Sequence, residues 1–189
     1  LSIIHGRQIE VEKITELLEK GKNIVLNGLP GIGKTSLARS VADSLMAKGW
    51  TLRWASCNGD SDVSSIAEMW LGQPGWSSPE AIAMNLDSAR TLLVIDEIQE
   101  LNQRHLTNVE NLLSQISNTK SSVLIMVRAP SPFKELLNFE NIRLDGLNYE
   151  DAREILPSDL DEESAFKIAE SLGGHPLALH LWSPEEEIP

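Results

Sequence analysis

The sequence predicts an α/β fold: a parallel sheet of five strands covered by helices on both faces, with a small helical unit after it. Three observations carry this prediction. Apolar, β-branched runs alternate with amphipathic segments to about residue 145, a pattern satisfied by a buried parallel sheet. A glycine-rich loop joins the first such run to a long helical pattern. From about Gly146 onward only helical spacing remains.

Residues 8–20 set Ile9, Ile14, Leu17 and Leu18 among charges, an amphipathic helix that Gly21 stops. Asn23 to Asn27 is a short buried strand. After the glycine loop, Leu37, Ala38, Val41, Ala42 and Leu45 recur at helical spacing to Lys48. A second strand covers about Thr51 to Ser56 and a helix roughly Asp62 to Leu71, with Asp60 and Asp62 as expected caps. The stretch 72–79 is dense in breakers and reads as a loop; Glu80 to Ala89 reads as a helix. Thr91 to Ile95 is a central strand, Val109 to Ile116 a helix, Ser122 to Val127 a fourth strand and Asn141 to Leu144 a short fifth. Helices are then expected over Tyr149 to Leu156, Glu162 to Leu172 and Pro176 to Trp182. The resulting division is an α/β domain over residues 1–145, with 1–22 as its leading linker and helix, and a small helical domain over 146–189.

The loop is Gly28-Leu29-Pro30-Gly31-Ile32-Gly33-Lys34-Thr35. Glycine at positions 1 and 6, then Lys-Thr, is the phosphate-binding pattern of nucleoside-triphosphate sites. Glycines let the main chain approach phosphates and reach conformations a Cβ would block. Successive N–H groups converge on the anion, and the following helix points its positive end at it. Lys34 adds a mobile point charge for the outer phosphates, and Thr35 offers a hydroxyl to Mg²⁺. Gly28, Pro30, Gly31, Ile32, Gly33, Lys34, Thr35 and Ser36 are therefore the expected phosphate contacts.

A second signal is Asp96-Glu97 after Leu92-Leu93-Val94-Ile95. It puts two carboxylates at the carboxyl edge of a central strand, where ligands of parallel sheets bind. Asp96 is expected to hold Mg²⁺ with Thr35, and Glu97 to activate water as a general base. Arg128 ends the run Val123 to Val127 and is expected to sense the γ-phosphate. Gln99 faces either the cleft or solvent. His5, His105, His175 and His180 lack metal-ligand spacing, and the five tryptophans read as packing residues, Trp76 the most exposed.

The net charge of −12 is uneven: residues 145–189 hold 12 of the 28 Asp+Glu and 2 of the 16 Lys+Arg. Nucleic-acid binding by this segment is not expected, because it needs basic surface to release counterions. The acidic stretch reads as a solvated face of short helices. Cys57 is alone, so no internal disulfide or Cys-based metal cluster can form; it reads as a small buried residue at a strand end. No apolar run approaches the roughly 20 residues of a membrane helix, and no secretory signal pattern opens the sequence. The expectation is a cytoplasmic protein without a membrane partner.

Over nearly its whole length the chain resembles the nucleotide-binding module of the signal-transduction ATPases with numerous domains. These include the NB-ARC and NACHT proteins within the AAA+-like P-loop ATPases. Five features carry the resemblance: HGRQIEVEKI, GLPGIGKT, LLVIDE, a strand ending in Arg128, and GGHPLAL at 173–179. The resemblance implies a sheet order of 5-1-4-3-2 and bound ATP or ADP. It places Gly6-Arg7 near the adenine and packs Pro176 of Gly174-His175-Pro176 against the nucleotide from a helical lid. It implies slow hydrolysis that drives lid opening and closing, further C-terminal domains such as a winged helix and repeats, and possible homo-oligomers. Glu97 stands where many plant and animal members carry Asp, which fits the prokaryotic branch and keeps hydrolysis open. Two other functions share these motifs: an origin-licensing type of DNA-associated ATPase, and a nucleotide-binding scaffold that does not hydrolyse. A small-molecule kinase fits the Asp96-Glu97 pair poorly.

Overall fold

The computed structural model describes residues 6–133, 136 and 138–184. His5, in the first stretch of the resemblance, and the acidic residues Glu185 to Glu187 lie outside the described residues.

The helix α1 (Gln8–Glu19) leads into β1 (Asn23–Gly28), and α2 (Lys34–Ala47) follows the glycine loop. Next come β2 (Thr51–Ser56), α3 (Val63–Leu71), α4 (Pro79–Leu86) and β3 (Thr91–Asp96). A 3₁₀ turn at Ile98–Glu100 precedes α5 (Gln103–Ile116), β4 (Ser122–Arg128) and β5 (Phe139–Arg143). The chain then runs through α6 (Tyr149–Ile155), α7 (Glu162–Ser171) and α8 (Pro176–Leu181). The strands form one parallel sheet in the order β2-β3-β4-β1-β5. That is the predicted order, with β1 at an interior position.

Period-two alternation explains the two layers. Side chains of successive strand residues leave opposite faces of a sheet. Val25, Leu93, Ile95, Val123, Ile125 and Val127 enter a core shared with α3, α4 and α5. Their neighbours Ile24, Leu26, Leu92, Val94, Leu124 and Met126 enter a second core under α1 and α2. Polar groups at the strand ends are satisfied: the Asn23 Oδ1 accepts the Val123 N–H at 2.9 Å, and the Ser122 hydroxyl donates to the Leu18 carbonyl at 3.0 Å. Trp70, buried against the sheet, donates its indole N–H to the Val94 carbonyl at 3.0 Å.

Three elements depart most from the sequence expectation. The helix α5 begins at Gln103, not Val109, because the Asn102 side chain caps it by accepting the Arg104 N–H at 3.1 Å. Leu106 then packs on the core from among polar neighbours that masked it. The helix α4 stops at Leu86, short of Ala89; the Asp87 carboxylate accepts the Lys120 N–H at 2.8 Å and turns the chain toward β3. The strand β5 is Phe139–Arg143, shifted from 141–144, since Phe139 pairs with Asn23 and carries the buried side chain. Of the two expected caps, Asp62 caps α3 with a reciprocal capping box, whereas the Asp60 N–H donates to Asn58.

Beyond β5, Leu147, Ala152, Leu156, Ala165, Ile168, Ala169 and Leu179 form a third cluster. The chain enters it through a tight main-chain crossing. Gly174 has φ 65, and a Cβ there would run into the Leu147 backbone, with Leu147 N at 2.8 Å. The Leu147 N–H donates to the Gly174 carbonyl at 2.8 Å. Gly174→Ala should therefore destabilise the helical unit by roughly 2–3 kcal/mol, combining a strained φ with a backbone clash. Denaturant unfolding checks this; a change within about 0.5 kcal/mol, ordinary for a surface site, would contradict it.

Candidate functional site

Four elements meet at the carboxyl edge of the sheet. The register pairs Gly28 with Arg128 across β1 and β4, and Ser56 with Asp96 across β2 and β3. The loop after β1, the acids after β3 and the arginine ending β4 are thus brought together by main-chain pairing. They line a cleft of about 470 Å³. Its floor is Pro30, Gly31 and Gly33 to Ser36; one wall is Asp96, Glu97, Gln99, Glu100 and Arg128. Pro176, Leu177 and His180 of α8 form the opposite wall.

The loop has the geometry of an anion cradle. Gly31 and Gly33 have φ of 76 and 106, the left-handed region glycine tolerates. Gly33 caps α2 and supplies no side-chain acceptor to its first turn, and a Cβ at Gly33 would meet no protein atom within 4 Å. The helix therefore presents uncapped N–H groups and its positive end to open space. The Lys34 ammonium donates to the Gly28 and Leu29 carbonyls at 2.9 and 2.8 Å. Its pKa lies below the ordinary lysine value because burial strips it of water; Glu97 and Asp96 oppose that shift and Arg128 adds to it.

The Thr35 hydroxyl donates to Asp96 Oδ2 at 2.8 Å, and Asp96 is buried. Two hard oxygen donors side by side suit Mg²⁺, which takes one or two protein groups plus phosphate oxygens. Among the described residues no group of three or more His, Cys, Asp or Glu could hold a metal by itself. Glu97 is exposed and left-handed, at φ 59 and ψ 37. Its N–H donates to Asp96 Oδ1 at 2.8 Å. The Arg128 guanidinium lies 3.6 Å from Glu100 Oε1, and the Ala129–Pro130 bond that follows is cis.

The expected residues outside the cleft lining are Gly6, Arg7, Gly28 and Ile32. They support the loop from behind. The Arg7 guanidinium is buried and donates to the Ile32 carbonyl at 3.0 Å, with Glu10 at 3.4 Å. Burial lowers its pKa, and Glu10, Asp151 and Asp145 oppose that. A Cβ on Gly6 would strike the Asp151 side chain. A Cβ on Gly28 would meet the Leu144 carbonyl and Ile32 Cγ2, each at 2.9 Å.

Sequence reasoning did not find the part played by the His175 side chain. Its Nδ1 accepts the Ala178 N–H at 3.3 Å, capping α8, and its Nε2 lies 2.7 Å from the Pro30 carbonyl. An amide N–H only donates and a carbonyl only accepts, so the ring is the neutral Nε2–H tautomer. Gly31 allows this approach: a Cβ there would meet His175 Cε1 at 2.8 Å and Leu177 Cδ2 at 2.9 Å. The available signal was Pro176 at a first helical position, which puts His175 at the cap.

Cys57 follows β2 and is buried, its N–H donating to the Asp96 carbonyl at 3.0 Å. Burial pushes its thiol up to about 12; the Ser61 bond opposes this and the charges of Asp96 and Glu97 add to it. The sign follows. Below the unfolded thiol's value of about 8.5 both states are neutral; above it the unfolded chain ionises first, so this stabilisation is lost as pH rises. The stability gap between wild type and Cys57→Ala should narrow from about pH 8 to about pH 10 in denaturant titrations. A constant gap would contradict the burial argument.

The family model of the ATPase family associated with various cellular activities (AAA) matches residues 24–142. The chain belongs to that family, and its sheet has the fold of an AAA ATPase domain. The Lon protease of Finegoldia magna is 32% identical over 96 residues, covering 49% of this chain and 12% of that protein. Disease resistance protein RRS1B of Arabidopsis thaliana is 25% identical over 204 residues, covering 96% of this chain and 14% of that protein. Among solved structures, the fold resembles a signal transduction ATPase with numerous domains and a tetratricopeptide repeat sensor from Pyrococcus horikoshii. That match has a TM-score of 0.72 and 21% identity, over 100% of this chain and 31% of that one. A RuvB mutant of Thermotoga maritima matches with a TM-score of 0.58 and 20% identity, over 92% of this chain and 60% of that one. The chain thus spans about an eighth of the length of these two curated relatives. No described helix is long and apolar enough to cross a membrane.

Proposed function

We propose that this chain is the ATP/ADP switch module of a regulatory ATPase, with slow Mg²⁺-dependent hydrolysis at Glu97 and residues 146–184 acting as a lid. The observation that carries this is the shared cleft: Lys34, Thr35, Asp96, Glu97 and Arg128 face Pro176 across one cavity.

The loop N–H groups and Lys34 bind the phosphates, Lys34 leaving the Gly28 and Leu29 carbonyls to do so. Thr35 and Asp96 would hold Mg²⁺, which would neutralise charge on the phosphate oxygens. Glu97 orients a water for in-line attack on the γ-phosphorus and takes its proton, and ADP departs from the inorganic phosphate. Arg128 leaves Glu100 to meet the γ-phosphate and returns to Glu100 when that phosphate is lost. Pro176 packs on the nucleotide, and the His175–Pro30 hydrogen bond latches the lid to the loop. Product held under that lid accounts for slow turnover. The module then acts inside a longer chain whose further domains sense and respond, as the sensor repeats named for the Pyrococcus protein suggest.

The test is single-turnover ATP hydrolysis with Mg²⁺, comparing wild type with Glu97→Gln and identifying the bound nucleotide after denaturation. Hydrolysis should slow by roughly 10²- to 10⁴-fold in Glu97→Gln while ATP stays bound. Lys34→Ala should bind ATP more weakly by roughly 1.5–3 kcal/mol, the worth of a hydrogen bond to a charged group. Equal hydrolysis in Glu97→Gln would falsify the base assignment.

A separate measurement addresses the lid. His175→Ala removes the latch and should speed ADP release roughly fivefold, the equivalent of one neutral hydrogen bond. Stopped-flow release of a fluorescent ADP analogue reads this directly, and an unchanged rate would sink the lid reading.

A further inference from the structure

The side-chain amide of Gln99 joins two groups that the proposed reaction needs. Its Nε2 donates to Glu97 Oε2, and its Oε1 accepts the main-chain N–H of Arg128 at 3.0 Å. The amide has one orientation here. A carboxylate only accepts and a main-chain N–H only donates. Flipping the amide would set oxygen against oxygen at one end and N–H against N–H at the other.

The backbone carrying this amide is held on both sides. Glu97 sits in the left-handed region and bonds back to Asp96 Oδ1, while the next residue, Ile98, is fully buried in the core. The turn also reaches Arg128 through Glu100, 3.6 Å from its guanidinium. One short turn therefore grips the main chain and the side chain of Arg128 while presenting Glu97 to the cleft.

We infer that Gln99 is the positioning residue of this site. It holds the Glu97 carboxylate by one oxygen, leaves Oε1 for the attacking water, and ties that carboxylate to the end of β4. A displacement of Arg128 by the γ-phosphate then reaches Glu97 through two hydrogen bonds. The inference rests on the assignment of Glu97 as base. Its physical basis is that an exposed carboxylate samples many rotamers, and few of them aim an oxygen at the water. Fixing it beforehand removes that cost from the barrier.

Single-turnover hydrolysis, with ATP affinity measured by calorimetry, tests this in Gln99→Met, Gln99→Glu, Glu97→Gln and the Gln99→Met/Glu97→Gln double variant. Gln99→Met keeps the length of the side chain without its hydrogen bonds. Gln99→Glu keeps an acceptor for the Arg128 N–H but cannot donate to Glu97. Both single variants should hydrolyse roughly 10- to 100-fold more slowly, the scale of a misplaced catalytic group, with ATP affinity unchanged. The double variant should be no slower than Glu97→Gln, because Gln99 acts through Glu97. A wild-type rate in Gln99→Glu overturns the inference, and so does a double variant slower than Glu97→Gln. If Glu97→Gln itself retains the wild-type rate, the base assignment has failed; a dead Glu97→Gln beside fully active Gln99 variants means that only the role of Gln99 has failed.

Discussion

Parallel main-chain pairing along β1 is the constraint on which the rest of this structure depends. β1 lies between β4 and β5, with Gly28 opposite Arg128 and Asn27 opposite Arg143. Parallel strands end their carboxyl termini on one edge, so groups far apart in sequence are delivered to one cleft without any side-chain contact having to recruit them. A one-residue slip would exchange the inward and outward faces of a strand. Both faces here are buried in separate cores, yet their side chains differ in size and partner. Packing of Val123, Ile125 and Val127 on one side and Leu124 and Met126 on the other holds β4 in register.

That edge concentrates charge in a partly dry place. Lys34, Asp96, Glu97 and Arg128 sit within mutual influence, and burial costs the Lys34 ammonium some of its affinity for a proton. An arrangement of this kind is tolerated because each charged group has a partner: loop carbonyls for Lys34, the Thr35 hydroxyl for Asp96, Gln99 for Glu97, Glu100 for Arg128. These partners are mostly exchangeable, since a triphosphate and a cation offer stronger ones. The left-handed Glu97 adds local backbone strain of the sort that persists where surrounding contacts over-determine it.

The helical unit beyond β5 meets the glycine loop through a hydrogen bond and close approaches to its main chain. The His175 ring, bonded to Pro30, and Leu177 reach the loop only because Gly31 lacks a Cβ. Arg7 and Gly6 touch the same region from the other end of the chain, through the Ile32 carbonyl and the Asp151 side chain. A hydrogen bond and close approaches of this kind are contacts that a ligand favouring another arrangement can shift.

The sequence by itself determined the elements, a parallel sheet and the chemical character of the cleft, while the strand order came from the family resemblance. Apolar runs of strand length, the glycine loop between strand and helix, and the two acids after Ile95 depend on local periodicity and on what a phosphate requires. Those are properties of short segments, readable one segment at a time. Tertiary structure alone decided the rest. Where α5 begins depended on a cap at Asn102 and on a core position for Leu106 that its polar neighbours concealed. Whether Gln99 faced the cleft depended on Arg128, 29 residues away, offering an N–H at the right distance. The His175 bond to Pro30 joins residues 145 apart. No local pattern encodes such pairs, because hydrogen bonds between distant residues exist only once the sheet register and the third cluster have placed both partners.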